Sequence, residues 1–250
     1  MDTVALLFGA GLLAGAMNAV AGGGSFVSFP ALVFAGLPPV AANASSTVAL
    51  FPGALTSIWA FRRDLVRIGE VDLGAMLAVS VAGGLTGAVL LLVTSDATFR
   101  IVVPWLLLLA SLAFAFGRPV GAALRRRFRI GPALVLTLQF LLAIYGGYFG
   151  GAVGIMMMAV WGLLSSAELK VMNPAKVLLV GAMNAVAVIC FVVAGAVWWP
   201  ETLVMLVAAA LGGYAGATLG RRLPPAVVRW GITGFSFAMT LVFFRRAGWL

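Results

Sequence analysis

The sequence predicts an all-α, polytopic transmembrane helix bundle built of two homologous halves with glycine-broken helices. Three observations carry that prediction. The 250 residues are 63% hydrophobic and only 9% charged, whereas soluble chains run about half apolar and a quarter charged. Mean hydropathy over the whole chain is +1.15. With so little polar surface, the outside of the molecule must also face something apolar, and the bilayer is the solvent that fits. Finally, apolar stretches recur at membrane-crossing length: about 20 residues span the hydrocarbon core as a helix, so a chain of this size holds roughly eight to ten segments.

In chain order the apolar stretches run approximately over 3–36, 43–61, 71–93, 98–117, 130–166, 174–200, 202–219 and 225–244. No cationic region precedes the first, so a cleaved leader is not expected. The first and fifth are too long for one crossing, and a glycine cluster interrupts each. Ala21-Gly22-Gly23-Gly24-Ser25 cuts the first, and Gly146-Gly147-Tyr148-Phe149-Gly150-Gly151-Ala152-Val153-Gly154 cuts the fifth. Non-helical backbone at membrane depth is tolerated only where protein or a water-lined cavity satisfies it. A half-helix that follows such a break presents unpaired N–H groups and the positive end of its dipole, which attract anions. Close packing competes with this reading, but with Ser25 next and Pro30 ahead a broken helix is preferred at Gly22–Gly24. Gly83-x-x-x-Gly87 and Gly212-x-x-x-Gly216 lie inside continuous stretches and are read as packing positions.

The helix after each break opens on polar residues. Pro38-Pro39 closes the first broken segment, and Asn43-Ala44-Ser45-Ser46-Thr47 opens the next helix; Met172-Asn173-Pro174-Ala175-Lys176 takes that place in the second half. Asn and Ser are good N-caps and proline favours a first helical position. Asn43 and Asn173 are therefore read as caps and, compatibly, as the frame of an anion pocket.

Charge and rare residue types exclude several functions. There is no histidine, so His-based metal sites, nucleophile pairs and proton relays are absent. Cys190 is the only cysteine, which rules out an intramolecular disulfide and a thiolate cluster. Sixteen Lys and Arg against seven acids give +9, but most of the arginines sit in short runs between apolar stretches, as topology signals do. Nucleic acid is not an expected partner. Arg62, Arg63 and Arg67 are two helices away from Arg118, Arg125, Arg126, Arg127 and Arg129, so both groups can face the cytoplasm. Arg221-Arg222 and Arg245-Arg246 are separated by one helix and cannot.

Lys176 stands apart from these runs. It lies one turn into an apolar helix, and an ionisable residue within a membrane segment is a functional candidate by default; snorkelling to the interface is the competing reading. Asn184 follows eight residues on, about 800° of helical rotation, which leaves the two on neighbouring faces. No carboxylate falls in mid-span: Asp64, Glu70, Asp72, Asp96 and Glu201 sit at loop ends and Glu168 lies between segments. Carboxylate and histidine relays mark proton-coupled transport, and buried acids would suit a cation. A small anion fits better.

The chain also matches itself at a shift of about 130 residues. Met76-Leu77 and Gly83-Gly84-x-x-Gly87-Ala88 precede Arg100 as Met205-Leu206 and Gly212-Gly213-x-x-Gly216-Ala217 precede Arg229, while Gly24 meets Gly154, Asn43 meets Asn173 and Phe61 meets Phe191. The ordered series predicts two homologous halves, 1–120 and 130–250. Four crossings per half make them parallel and five make them inverted, depending on whether Ser25–Gly36 and Ile155–Ser166 turn back or cross. The charge runs leave both arrangements open.

On these residues the chain resembles the TauE/SafE sulfite-exporter family, also called the toluene-sulfonate uptake permeases. Met17-Asn18-Ala19-Val20-Ala21-Gly22-Gly23-Gly24-Ser25, Pro30-Ala31-Leu32, Gly36-Leu37-Pro38-Pro39 and Ala42-Asn43 through Pro52-Gly53 are similar to its first signature. Gly150-Gly151-Ala152-Val153-Gly154-Ile155, Met172 through Lys176, and Asn184 are similar to its second. The resemblance covers essentially the full chain and implies a bacterial inner-membrane permease for sulfite, sulfonates or other small organic anions, often working outward. One departure is that Ala152 and Val153 interrupt the second glycine cluster, which makes the two half-sites unequal.

Residues and resemblance together nominate Asn18, Gly22, Gly23, Gly24, Ser25, Asn43, Ser45, Ser46, Thr47, Gly151, Gly154, Asn173, Lys176 and Asn184 as substrate-binding, with no catalytic residue, metal ligand or cofactor. The expected function is a secondary transporter of small sulfur-containing or organic anions by alternating access at the repeat interface, with a passive anion channel as the alternative. A small anion and the lipid bilayer are the expected partners, and a homodimer is allowed. An intramembrane enzyme has little to work with, since Lys176 is the only conceivable base for Ser25.

Overall fold

The computed structural model describes residues 3–63, 71–128, 130–164, 169–219 and 225–249, and among them it contains ten α-helices and no strand. They are α1 (Thr3–Ala21), α2 (Ser25–Phe34), α3 (Pro39–Phe61), α4 (Leu73–Val93), α5 (Asp96–Arg127), α6 (Pro132–Tyr148), α7 (Val153–Leu164), α8 (Leu169–Val193), α9 (Trp199–Leu219) and α10 (Pro225–Arg246). Asp64, Arg67, Glu70, Arg129, Glu168, Arg221 and Arg222 lie outside the described residues.

The two over-long apolar stretches each resolve into a long helix and a short one. α2 has 10 residues and α7 has 12, about 15 and 18 Å at 1.5 Å per residue, well short of the ~30 Å hydrocarbon core. Unbroken apolar windows of 18, 21, 22 and 22 residues lie in α1, α4, α5 and α8. α5 runs on to Arg127, past the apolar stretch that ends near 117, because exposed arginines at a helix end need not terminate it.

Two helix starts differ from the sequence reading. α3 begins at Pro39 and α8 at Leu169, so Asn43 and Asn173 lie within helices and cap neither. The start of α3 is served from another element: Asp96 at the head of α5 accepts the Val40 N–H through Oδ1 at 2.9 Å, a cap that local spacing cannot reveal.

That bond also fixes direction. The end of α2, the starts of α3 and α5 and the end of α10 meet at one end of the bundle, where Gly36, Pro38, Asp96, Phe243 and Arg246 border a common cavity; we call this the upper end. α4 follows α3 and leads into α5, so it rises from the lower end. α6 runs parallel to α4, since Gly83 faces Phe140 and Ala143 while Gly87 faces Ile144 and Tyr148. α9 runs parallel to α1, because Gly11 meets Met205 and Ala208 while Gly216 meets Ala16. The Trp198 N–H donates to Ser45 Oγ at 3.0 Å, which puts the start of α9, and with it the start of α1, at the upper end. α1 and α6 therefore run in opposite directions. So do α5 and α10, where Trp105 meets Phe244 edge to face at 5.0 Å while Ser111 pairs with Thr240 at 3.2 Å.

Helix pairing is reciprocal between the first five helices and the last five. α1 packs on α9 as α6 packs on α4; α3 meets α9 as α8 meets α4; α5 meets α7 as α10 meets α2; and α3 meets α8 directly, as α5 meets α10. Glycines allow the tightest of these contacts. A Cβ at Gly83 would stand 2.6 Å from that of Ala143, one at Gly84 would stand 2.8 Å from that of Met183, and one at Gly212 would overlap the Leu12 carbonyl. Without a hydrophobic drive between helices in lipid, small residues that admit close packing do this work.

Polar groups within the bundle bond across helices. Ser28 and Ser46 join α2 to α3 at 2.6 Å. Gln139 on α6 donates to Ser80 of α4 at 2.8 Å and accepts from the Trp161 indole N–H of α7 at 2.9 Å, all three being fully buried. Pairing of this kind is required where water cannot substitute.

Candidate functional site

The two chain breaks come together. α1 ends at Ala21, where the Gly22 N–H turns back to the Met17 and Asn18 carbonyls at 3.2 and 3.0 Å and Gly22 adopts φ +78°. The chain then doubles back so closely that a Cβ at Gly24 would stand 2.6 Å from the Ala14 carbonyl oxygen, so glycine is needed there. α2 rises from this point to the upper end. In the second break Gly150 has φ +82° and Ala152 has φ +56°, and Tyr145 Oη donates to the Gly151 carbonyl at 2.9 Å. α7 descends from there to the lower end, where the Leu163 carbonyl accepts the Ile130 N–H at 3.2 Å.

The two short helices thus begin side by side and run apart. Between their starts lies a cavity of about 170 Å³, lined by Gly22 and Ser25 from the first break and by Gly150, Ala152, Val153, Gly154 and Ile155 from the second. Both N-terminal dipole ends face it. Phe26 and Ile155 already donate to the Gly23 and Ala152 carbonyls at 3.2 and 3.0 Å. The N–H groups just ahead of them, as at any helix start, have no acceptor within their own helix.

Side chains complete the wall. Lys176, Val177, Val180, Gly181 and Asn184 of α8 line one side; Thr47, Leu50, Gly53, Ala54 and Ser57 of α3 line the other; and Asn18 of α1 completes the lining. The half-buried Lys176 lays its stem along Gly154, where a Cβ would stand 3.1 Å from Lys176 Cδ. A Cβ at residue 154 would require that stem to give by a few tenths of an ångström. None of the lining residues is acidic. An ammonium, two helix-start dipoles, two amides and the Ser25 hydroxyl make a donor-rich, anion-favouring chamber, while the Thr47 and Ser57 hydroxyls donate to the Asn43 and Gly53 carbonyls at 3.0 and 2.8 Å.

Seven of the nominated residues border this cavity: Asn18, Gly22, Ser25, Thr47, Gly154, Lys176 and Asn184. Gly23 and Gly24 are buried in the turn that shapes it. Asn43, Ser45 and Ser46 are buried in helix contacts instead: Asn43 Nδ2 donates to the Tyr148 carbonyl at 2.9 Å, Ser45 Oγ accepts from Trp198, and Ser46 meets Ser28. Gly151 serves the Tyr145 hydroxyl, and the half-buried Asn173 lies outside the lining. Sequence reading missed Gly53 and Ser57, although Thr47, Leu50, Ala54 and Ser57 form a stripe at helical spacing that follows from Thr47.

Above the cavity the bundle is closed by rings. Phe149, part of the lining, lies 5.9 Å from Phe29, which lies 5.4 Å from Phe243 and 6.2 Å from Phe99. Phe29 and Phe99 are completely buried. Toward the lower end, Gly22 and Gly53 are exposed and Ser57 is half-buried.

The model of the sulfite exporter TauE/SafE family matches residues 7–243. The chain is 29% identical over its full length to a "Probable membrane transporter protein" of Haemophilus influenzae, covering 97% of that protein. It is 29% identical to "Probable membrane transporter protein YfcA" of Escherichia coli K12, over 87% of this chain and 79% of that one. A third relative, "Probable membrane transporter protein ORF9" of a Sinorhizobium species, is 31% identical over 88% of this chain and 82% of its own. No solved structure matches.

Proposed function

The chain belongs to the sulfite exporter TauE/SafE family, and from that premise we propose that it carries small sulfur-containing or organic anions, such as sulfite, sulfonates or small carboxylates, outward across the bacterial inner membrane by alternating access. Membership makes it a multi-pass membrane transporter with a small-molecule substrate, not an enzyme. One observation carries the finer reading: two half-helix N-termini and Lys176 converge on a single cavity without an acid in its wall. A discontinuous helix pair of this kind at a repeat interface suits a substrate site, and its positive ends suit an anion.

The halves 1–120 and 130–250 act in this account as inverted repeats. Support comes from the opposed directions of α1 and α6 and of α5 and α10, and from the Ser111–Thr240 pair, whose separation of 129 residues matches the sequence shift. Such mutual contact between equivalent positions is expected at a two-fold axis. Arg62, Arg63, Arg126 and Arg127 sit at the lower end, which makes that end cytoplasmic under the positive-inside rule. The cavity then opens toward the cytoplasm, and the ring stack closes its outer side.

Counterflow separates a carrier from a channel. Proteoliposomes loaded with unlabelled sulfite should transiently accumulate radiolabelled sulfite above its external concentration. Flux that is linear in concentration, without such exchange, would establish the passive channel instead.

A further inference from the structure

At the upper end lies a second, larger cavity, of about 500 Å³, lined among others by Pro38, Asp96, Arg100, Phe243 and Arg246. Its charges are unequal in availability. The Asp96 carboxylate accepts the Val40 N–H at the start of α3 through Oδ1 at 2.9 Å, and it stands in the first turn of α5. Both helix dipoles offset its charge. The two guanidinium groups, both on exposed residues, remain, that of Arg246 lying over the Phe34 ring at 4.8 Å from its centroid. Planar guanidinium groups bind oxyanions through paired N–H bonds, a geometry that sulfonate and carboxylate groups share.

This cavity and the central one lie on opposite sides of a single column of rings. Phe243 borders the upper cavity and Phe149 the central one, while the fully buried Phe29 stands between them at 5.4 and 5.9 Å. Phe29 belongs to α2, whose first residue lines the central cavity and whose C-terminal end reaches the upper one. A shift of that one short helix would move the barrier and both cavity walls together.

We propose that the upper cavity is a second anion site, an outer station in which Arg100 and Arg246 hold a small oxyanion on the far side of the Phe149–Phe29–Phe243 barrier. The inference rests on the carrier reading of the central cavity. Its ligand chemistry, an oxyanion on paired guanidinium groups, would equally describe a phospholipid headgroup.

The test uses the full-length protein inserted in one orientation in vesicles of neutral phosphatidylcholine, with radiolabelled sulfite as the probe at each face. Arg100→Gln/Arg246→Gln should raise the half-saturating sulfite concentration at the upper face by roughly fivefold or more, leaving the lower-face value within about twofold. Arg100→Lys/Arg246→Lys, which keeps both charges, should fall between the Gln variant and the parent and controls for folding. Equal upper-face values in all three proteins would overturn the proposal. So would an effect that appears only when phosphatidylglycerol is added, since the arginines would then serve lipid. Lys176→Ala run alongside separates the two claims: if it changes neither face, the central-site reading fails while the outer-face result stands on its own.

Discussion

At the residue scale, Lys176 is the one cationic residue in the lining of the central cavity. The ammonium reaches a cavity that holds no carboxylate, and its stem is seated on Gly154. Lys176→Ala should weaken sulfite binding about ten- to hundredfold, as expected when a charged hydrogen bond worth roughly 1.5–3 kcal/mol is lost; isothermal titration of the purified protein checks it, and unchanged affinity would remove Lys176 from the site. Ala152 makes the second prediction. Its φ of +56° is a left-handed conformation that costs an L-residue about 1–2 kcal/mol, more than the backbone entropy of a glycine. Ala152→Gly should stabilise the protein by about 0.5–1 kcal/mol in thermal unfolding, and a lowered transition would contradict the strain. That Lys176 and Asn184 border one cavity was readable from sequence, because helical periodicity puts them on adjoining faces. Asn43, Ser45 and Ser46 were not, because the partners that occupy Asn43 and Ser45 lie 105 and 153 residues away in sequence. Polarity inside a membrane segment advertises a partner without saying whether it is substrate or another helix.

At the element scale, glycine has two uses in this chain, and context separates them. Gly87 and Gly212 lie where any Cβ would overlap a neighbouring backbone, whereas Gly9 and Gly234 face open space. Gly212→Val should cost about 2 kcal/mol or more through overpacking of α9 against α1, and Gly87→Val should do the same for α4 against α6. Gly9→Ala and Gly234→Ala, with open space for the methyl, should instead stabilise by up to about 1 kcal/mol. Thermal unfolding in detergent compares the four, and equal effects would mean that the close packing does not matter. The sequence spacing pointed to packing at Gly83, Gly87, Gly212 and Gly216, but it did not identify α6 and α1 as the helices they meet. Both glycine-rich breaks were legible because a run of apolar residues longer than a membrane must be interrupted somewhere. The start of α3 was not, since its cap arrives from Asp96 on α5.

At the scale of the whole molecule, the directions of the ten helices turn an undecided topology into a definite expectation. α1 starts and α10 ends at the upper end, opposite Arg62, Arg63, Arg126 and Arg127. The C-terminal end of α10 should therefore face away from the cytoplasm: an alkaline phosphatase fused after Leu250 should be active, and an inactive phosphatase with a fluorescent cytoplasmic reporter at the same point would refute the orientation. Composition placed the chain in lipid, and its interruptions located the chamber, but the reciprocal pairing that sets two short helices nose to nose depends on contacts between halves. The central claim is that an oxyanion sits between those two helix starts, beside Lys176. Diffraction from crystals soaked in selenite, the heavier analogue of sulfite, addresses it most directly. A selenium anomalous peak is expected in the central cavity, within about 4 Å of Lys176 Nζ and near the N–H groups that begin α2 and α7. A central cavity without selenium at a concentration that saturates binding would contradict it.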